Sequence, residues 1–173
     1  MRIKVLSVFF VLTLLTNCTK KEVGNVMGMR PLYVNGSIYE EISSSESQPF
    51  VTVGKIFKKA TRIYITDIGN GVHVIDNSDP FNPIKIAFIN IYGNNDVAVK
   101  NNTMYANNGA DLITIDITEL SNASVQHRIS NVYSDFSLSS PNSYQGYFEC
   151  VDSEKGIVYD WEKAELVNPE CRK

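Results

Sequence analysis

The chain has 173 residues, with 16 Lys and Arg side chains against 19 Asp and Glu, and its formal net charge is −3. The basic residues form no dense cluster, which argues against nucleic acid as a partner, because that binding needs a basic stripe. The same feature argues against electrostatic attachment to anionic lipid.

Residues 1–17 have the organisation of a secretory signal peptide. Arg2 and Lys4 precede an apolar run over residues 5–15, which is too short to span a bilayer. The segment that ends at Cys18 resembles a bacterial type II (lipoprotein) signal, and this resemblance implies cleavage before Cys18 and a lipid on its sulfur. The alternatives are an ordinary secretory signal with a coincidental cysteine, or an uncleaved anchor.

A lipid on Cys18 predicts a protein of the cell envelope, anchored in the outer membrane on either its periplasmic or its surface side. Each buried methylene contributes about 0.8 kcal/mol, so two or three acyl chains make dissociation negligible. No second apolar run of membrane-spanning length follows, and the mature part is therefore predicted to be a tethered domain. Cleavage would leave 14 basic and 19 acidic side chains, a net charge of −5.

Residues 18–49 are predicted to form a tether and an irregular N-terminal segment. Residues 18–29 have few apolar side chains and no periodicity. Residues 31–39 have the pattern of a single strand, and residues 40–49, rich in Ser and Glu, are typical of a surface loop or a linker.

Residues 50–173 are predicted to be the folded domain, because a pattern of about 40 residues recurs there. Each copy has two short strands of β-branched and aromatic residues around a turn rich in Gly and Asn, which indicates a β-hairpin. Tyr64 and Tyr105 are 41 positions apart, and Asp76 and Asp116 are 40 apart. The copies are residues 62–76, 103–116 and, more loosely, 146–160.

Further strands and turns fill the space between the copies. Residues 83–92 predict a strand whose apolar alternation changes phase after Phe88. Helical periodicity is weak throughout, and the only helical candidates are residues 118–123 and 161–166.

Residues 71–83 resemble the LVIVD repeat of bacterial surface and secreted proteins: a Gly, an apolar strand ending in Asp76, and an Asp-Pro turn. Residues 111–122 match the repeat less fully, and residues 156–161 match it weakly. With its signal, the chain resembles LVIVD-repeat lipoproteins of Bacteroidetes-type bacteria. The resemblance implies propeller-like β-repeats and says little about activity.

The number of copies sets the expected architecture. Propellers usually close with four or more blades, whereas this chain has two good copies and one divergent copy. We therefore expect one all-β domain: an open, incomplete propeller-like stack of two to three antiparallel repeats, with the divergent copy as a cap. A truncated gene product is the alternative.

Cys150 and Cys171 are left as a pair if Cys18 carries lipid. An oxidising compartment favours a disulfide between them, which would stabilise the C-terminal end by about 3 kcal/mol. Two free buried thiols are the alternative.

Residues with catalytic chemistry are sparse. His73 and His127 are the only histidines, and without a Cys/His cluster we expect partly exposed strand residues and not zinc ligands. Asp76, Asp116 and Asp160 follow strands, so they are expected to accept hydrogen bonds from turn backbone and not to bind calcium. The sequence predicts no catalytic residue, metal or cofactor.

Tyr159 and Trp161 are the candidate ligand contacts, as part of a sugar-stacking surface, and the favoured alternative for these aromatic residues is packing in the core or an interface. Tyr64, Tyr105 and Tyr147 recur at one repeat position, which predicts a shared place in the core. The sequence thus predicts a non-enzymatic, lipid-anchored β-repeat scaffold that binds an envelope protein or a ligand such as a glycan. The competing hypothesis is an envelope hydrolase or metal-dependent enzyme that uses the two histidines or the Asp-rich turns.

Overall fold

The structure is a computed structural model, and it describes residues 22–133, 139–141 and 144–173. Of these residues, 52% lie in strands and 8% in helices, which confirms the predicted all-β class. The strands are β1 (Asn25–Val34), β2 (Ser43–Ser45), β3 (Val53–Lys59), β4 (Arg62–Asp67), β5 (Gly71–Asp76), β6 (Ile84–Asn90), β7 (Val97–Lys100), β8 (Thr103–Asn108), β9 (Asp111–Asp116), β10 (Ser124–Ile129), β11 (Tyr147–Phe148), β12 (Ile157–Val167) and β13 (Cys171–Arg172). The helices are α1 (Gly36–Glu40) and two 3-10 turns, Leu120–Asn122 and Ser153–Lys155.

The strands form three separate sheets. Sheet I has the order β2-β6-β5-β4-β3, sheet II the order β10-β9-β8-β7, and sheet III the order β12-β1-β11-β13. All described pairs are antiparallel except β1 with β11. No helix in the described ranges has the length and apolar character needed to cross a bilayer.

Sheets I and II have the same strand register. Arg62 pairs with Asp76 in sheet I, and Thr103 pairs with Asp116 in sheet II. The register of each sheet shifts once along the next strand, so that Ile86 and Gln126 have no partner on the neighbouring strand. The strand does change phase, but before Phe88 and not after it as predicted, because a β-bulge at Ile86 moves the following side chains to the other face.

The main core lies between sheets I and II, which bury opposite faces of the corresponding strands. Tyr64 is only 2% exposed, whereas Tyr105 is 37% exposed on the outer face of sheet II. Val72 and Val74 of sheet I pack in one cluster with Met104 of sheet II. The predicted shared core position of the tyrosines is therefore wrong, because face-to-face packing uses alternate faces of successive sheets.

Residues 18–49 are not an irregular segment where the structure describes them. β1 pairs with β12 along its whole length, from Asn25 with Val167 to Val34 with Ile157. Position 28 in β1 admits only glycine, since a Cβ there would lie 2.5 Å from the carbonyl oxygen of Tyr147. The predicted boundary at residues 49/50 therefore does not separate a tether from the fold, because the N-terminal strand completes a sheet with the C-terminal strands.

Four further expectations about local structure are corrected. The copy at residues 146–160 is not a hairpin, because β11 pairs with β1 and β13 while β12 pairs with β1. Residues 161–166, a helical candidate, lie inside β12, and the candidate at 118–123 contains only the 3-10 turn. The strand predicted at residues 31–39 ends at Val34, where Asn35 caps α1 by accepting from the Ser37 amide.

Candidate functional site

The loop between β2 and β3, residues 46–52, folds back over one face of sheet I. The backbone amides of Val51 and Thr52 donate to the Asp67 carboxylate, each at 2.8 Å. The Lys85 ammonium donates to the Gln48 carbonyl at 2.6 Å. These bonds hold the loop (hereafter the 46–52 loop) against the sheet.

A buried histidine lies beneath this loop. His73 has no exposed surface, and its ring lies between Phe50 and Phe88, with centroid distances of 4.2 and 4.6 Å. Its Nε2 is 3.1 Å from Asp67 Oδ2, and Nδ1 is buried without a partner in the described residues. The ring proton therefore belongs on Nε2, which donates to Asp67. The expectation of partial exposure fails for His73 but holds for His127, which is exposed.

Asp67 is held as a carboxylate by its hydrogen bonds. Burial raises its pKa. The hydrogen bonds from the Thr52 and Val51 amides, and then from His73 and Asn70, lower the pKa by more than burial raises it, so the net pKa lies below the usual value. The side chain is itself only 2% exposed.

A cleft of about 200 Å³ opens beside this carboxylate. We call it the Asp67 cleft; its lining residues are Gln48, Pro49, Val51, Asp67, Asn70, Phe88, Asn90 and Tyr92. Ligand pockets for drug-sized molecules measure about 300–1,000 Å³. The Asp67 cleft is smaller, so it suits one compact group, such as a single sugar ring or the end of a side chain.

The amide side chains of the cleft are fixed by internal bonds through their NH₂ groups. Asn70 Nδ2 donates to the carbonyl of Ile68 at 3.2 Å, and Asn90 Nδ2 donates to Ser43 and Ser45. Gln48 Nε2 donates to Ser45 Oγ at 3.0 Å. Within the described part of the chain, the three amide oxygens accept no hydrogen bond.

Sheet III borders the cleft through Tyr159. Its ring packs edge-on against Tyr92, with a centroid distance of 5.0 Å. Trp161 instead packs edge-on against Phe148, at 5.6 Å. The rings of the two predicted ligand-contact residues thus pack on different partners, and the partner of Tyr159 is a residue of the cleft.

Asp160 lies close to the β4–β5 turn. A Cβ at Gly69 would be 2.9 Å from the Asp160 carboxyl carbon, and Gly69 has a φ of +82°. Burial raises the pKa of Asp160, the Trp161 amide lowers it, and the charge of Asp67 raises it again, with a net upward shift. The carboxyl groups of Asp67 and Asp160 therefore repel each other at this end of the molecule.

A buried amide network braces the same end. Asn107 is 2% exposed. Its Oδ1 accepts from the backbone amides of Asn95 and Asp96, each at 2.9 Å. Its Nδ2 donates to the carbonyls of Gly93 at 3.0 Å and Gly109 at 3.2 Å. The turns of sheets I and II are thereby held in one arrangement, since the Gly93 amide also donates to the Gly69 carbonyl.

The aspartates predicted to stabilise turns do so in two of three places. Asp76 Oδ1 accepts from the Ser78 amide, and Asp116 Oδ1 accepts from the Thr118 amide. The Ser78 and Thr118 hydroxyls, followed by these amides, lower the pKa of the two carboxyls. Asp160 differs, because its Oδ1 accepts from Trp161 inside β12.

The cysteines divide between the described and undescribed parts. A disulfide joins Cys150 and Cys171, with Cα atoms 5.3 Å apart, and it ties β13 to the segment after β11. Cys18 and residues 1–17 lie outside the described residues. The described residues hold no cluster of three or more His, Cys, Asp or Glu side chains placed to bind a metal.

Sequence reasoning did not find the Asp67 cleft. The Gly69-Asn70-Gly71 turn signalled only a hairpin, and the 46–52 loop carried no sign that it folds back onto Asp67. Comparison with known proteins adds no relative: no family model, no curated protein and no solved structure matches the chain.

Proposed function

We propose that this protein is a lipid-anchored, non-enzymatic binding protein of the cell envelope, tethered through Cys18 and binding its ligand in the Asp67 cleft. The ligand is a compact polar group of an envelope protein or a glycan. Acyl chains in the outer membrane hold the β-scaffold at the membrane, and the cleft meets the ligand there.

One observation carries the binding role. The cleft combines two aromatic rings, Phe88 and Tyr92, with amides already fixed by internal bonds. Preorganised polar groups beside apolar surfaces are typical of ligand sites, because little side-chain entropy is lost on binding.

The same geometry favours binding over hydrolysis. In the Asp67–His73 pair, both side chains are at most 2% exposed, and His73 Nδ1 has no partner among the described residues. A general base must reach the proton that it removes. A buried ring under Phe50 is suited to holding the loop, and not to activating a nucleophile.

We further propose that sheets I and II are two blades of an open, incomplete propeller-like stack, with sheet III as an atypical end unit. The matched register of the two sheets, including the bulges at Ile86 and Gln126, supports this proposal. So does the burial of opposite faces, which lets successive repeats stack. The resemblance to LVIVD-repeat lipoproteins stays part of the proposal.

Two measurements on the full chain test the proposed function. Wild type and Cys18→Ala are expressed in a Gram-negative host, and we expect only wild type in the outer-membrane fraction, with an acylated N-terminal peptide at Cys18 by mass spectrometry. A glycan and peptide array is then probed with wild type and Tyr92→Ala. A hit that Tyr92→Ala loses supports the proposal. An unmodified thiol at Cys18, or an array hit that Tyr92→Ala retains, contradicts it.

A further inference from the structure

We infer that the ligand of the Asp67 cleft presents a primary ammonium group. This inference rests on the function proposed above and narrows it to one chemical class. The sources of such a group are an amino sugar and a lysine side chain or N-terminus of a peptide.

The first argument is the balance of donors and acceptors in the cleft. The NH₂ groups of Gln48, Asn70 and Asn90 are engaged inside the protein, and their oxygens face no partner in the described residues. An ammonium has three donors and no acceptor, whereas a neutral hydroxyl both donates and accepts. A cleft that offers mainly acceptors therefore matches an ammonium better than a neutral sugar.

The second argument is the aromatic wall. Phe88 and Tyr92 line the cleft, and none of its eight lining residues is Lys or Arg. Aromatic faces attract organic cations through the ring quadrupole, more strongly when water is excluded. The rings also favour an alkylammonium over a hydrated metal ion, which needs oxygen ligands on all sides.

The third argument is charge. The Asp67 carboxylate is bonded by backbone amides, an imidazole and an amide, and not by Lys or Arg. Its negative charge reaches Asp160, where it contributes to the raised pKa of that carboxyl. Burial, followed by Tyr92 and Asp160, raises the pKa of Tyr159. Asp67 is also the one charged residue among the eight that line the cleft, and its charge favours a cation there.

The 46–52 loop already binds one ammonium of the chain itself. Lys85 Nζ lies 4.9 Å from the Phe50 ring centroid and 2.6 Å from the Gln48 carbonyl oxygen. This internal site has the same two kinds of group as the inferred ligand site, an aromatic ring and a carbonyl oxygen. The Lys85 charge also repels a second cation nearby. The variant Lys85→Gln keeps a side-chain N–H donor for the Gln48 carbonyl, which holds the loop, and removes only the charge, so it should bind an ammonium more tightly.

Calorimetric titration of the full-length protein with matched pairs of probes tests the inference. The pairs are D-glucosamine with N-acetyl-D-glucosamine, and lysinamide with norleucinamide acylated at its α-amine. We expect the ammonium member of at least one pair to bind about tenfold more tightly, and the pair that responds identifies the source. Lys85→Gln should tighten binding of that ammonium about two- to threefold, and Asp160→Asn should weaken it by a similar factor.

The outcomes separate this inference from the proposed function. Equal or tighter binding of the neutral members, lost in Tyr92→Ala, overturns the ammonium inference and leaves the cleft as a binding site. Ammonium binding that Lys85→Gln and Asp160→Asn leave unchanged also overturns it, because the site would then lie elsewhere. Binding by none of the four probes overturns it as well, and the array result for Tyr92→Ala then decides the proposed function by itself.

Discussion

Replacing Asn107 with Leu should strongly destabilise the fold, because this side chain serves four backbone groups at once. The carbonyls of Gly93 and Gly109 are buried where they accept from Nδ2, and the amides of Asn95 and Asp96 are partly buried where they donate to Oδ1. A buried polar group left without a partner costs about 1–3 kcal/mol. The Gly93 carbonyl keeps the Gly109 amide as a donor, at 3.2 Å. The Gly109 carbonyl therefore accounts for about 1–3 kcal/mol, and the two amides together for about 2–4 kcal/mol.

Burying the larger apolar side chain offsets part of this loss, by about 1.5–3 kcal/mol. We expect Asn107→Leu to lower the free energy of unfolding by about 2–4 kcal/mol, a large share of the roughly 5–15 kcal/mol of an ordinary domain. Urea unfolding followed by circular dichroism measures the difference. The matched control is Asn122→Leu at an exposed position, expected to change stability by less than about 0.5 kcal/mol. A loss below about 1 kcal/mol for Asn107→Leu would refute the reasoning.

Three further predictions address the disulfide, the loop and the acid response. Replacing Cys150 and Cys171, 21 positions apart, with Ser should lower the free energy of unfolding by about 3 kcal/mol. Urea unfolding measures the difference, and equal stability would show that the disulfide does not stabilise the fold. Phe50→Ala should expose His73 to diethyl pyrocarbonate, read by peptide mass spectrometry against exposed His127; continued protection of His73 would show that the loop does not cover it. The folded-state pKa of Asp67 is lowered, so its stabilisation is present above the unfolded pKa near 3.9 and is lost as the pH falls through the folded value. Urea midpoints of wild type should therefore fall more steeply below about pH 4 than those of Asp67→Asn, and parallel curves would contradict the role of this carboxylate.

Sheets I and II could be predicted because their information is local. Short alternating strands, turns of Gly and Asn, and the aspartates at 76 and 116 recur at a fixed spacing. The phase change predicted after Phe88 even marked the strand that carries the bulge. Which face of each sheet is buried depends on how the sheets pack against each other. The prediction that Tyr64 and Tyr105 share a core position was therefore wrong.

Sheet III and the cleft could not be predicted because they depend on contacts between distant segments. The first part of β1, residues 25–29, has no periodicity of its own, and it becomes a strand by pairing with β12 at the other end of the chain. Residues 161–166 are extended for the same reason. The Asp67 cleft requires the 46–52 loop to fold back onto β4, and neither segment alone carries a motif for ligand binding.

Chemical-shift mapping on the isotope-labelled protein tests the central claim most directly, namely that the Asp67 cleft is the ligand site. The ligand from the array or from the ammonium series is titrated while side-chain amides and ring signals are followed. We predict saturable shifts of Gln48, Asn70, Asn90 and Tyr92, with the Trp161 indole unmoved. Shifts centred on Trp161 and Phe148, with the Asn70 and Asn90 amides unchanged, would contradict the account.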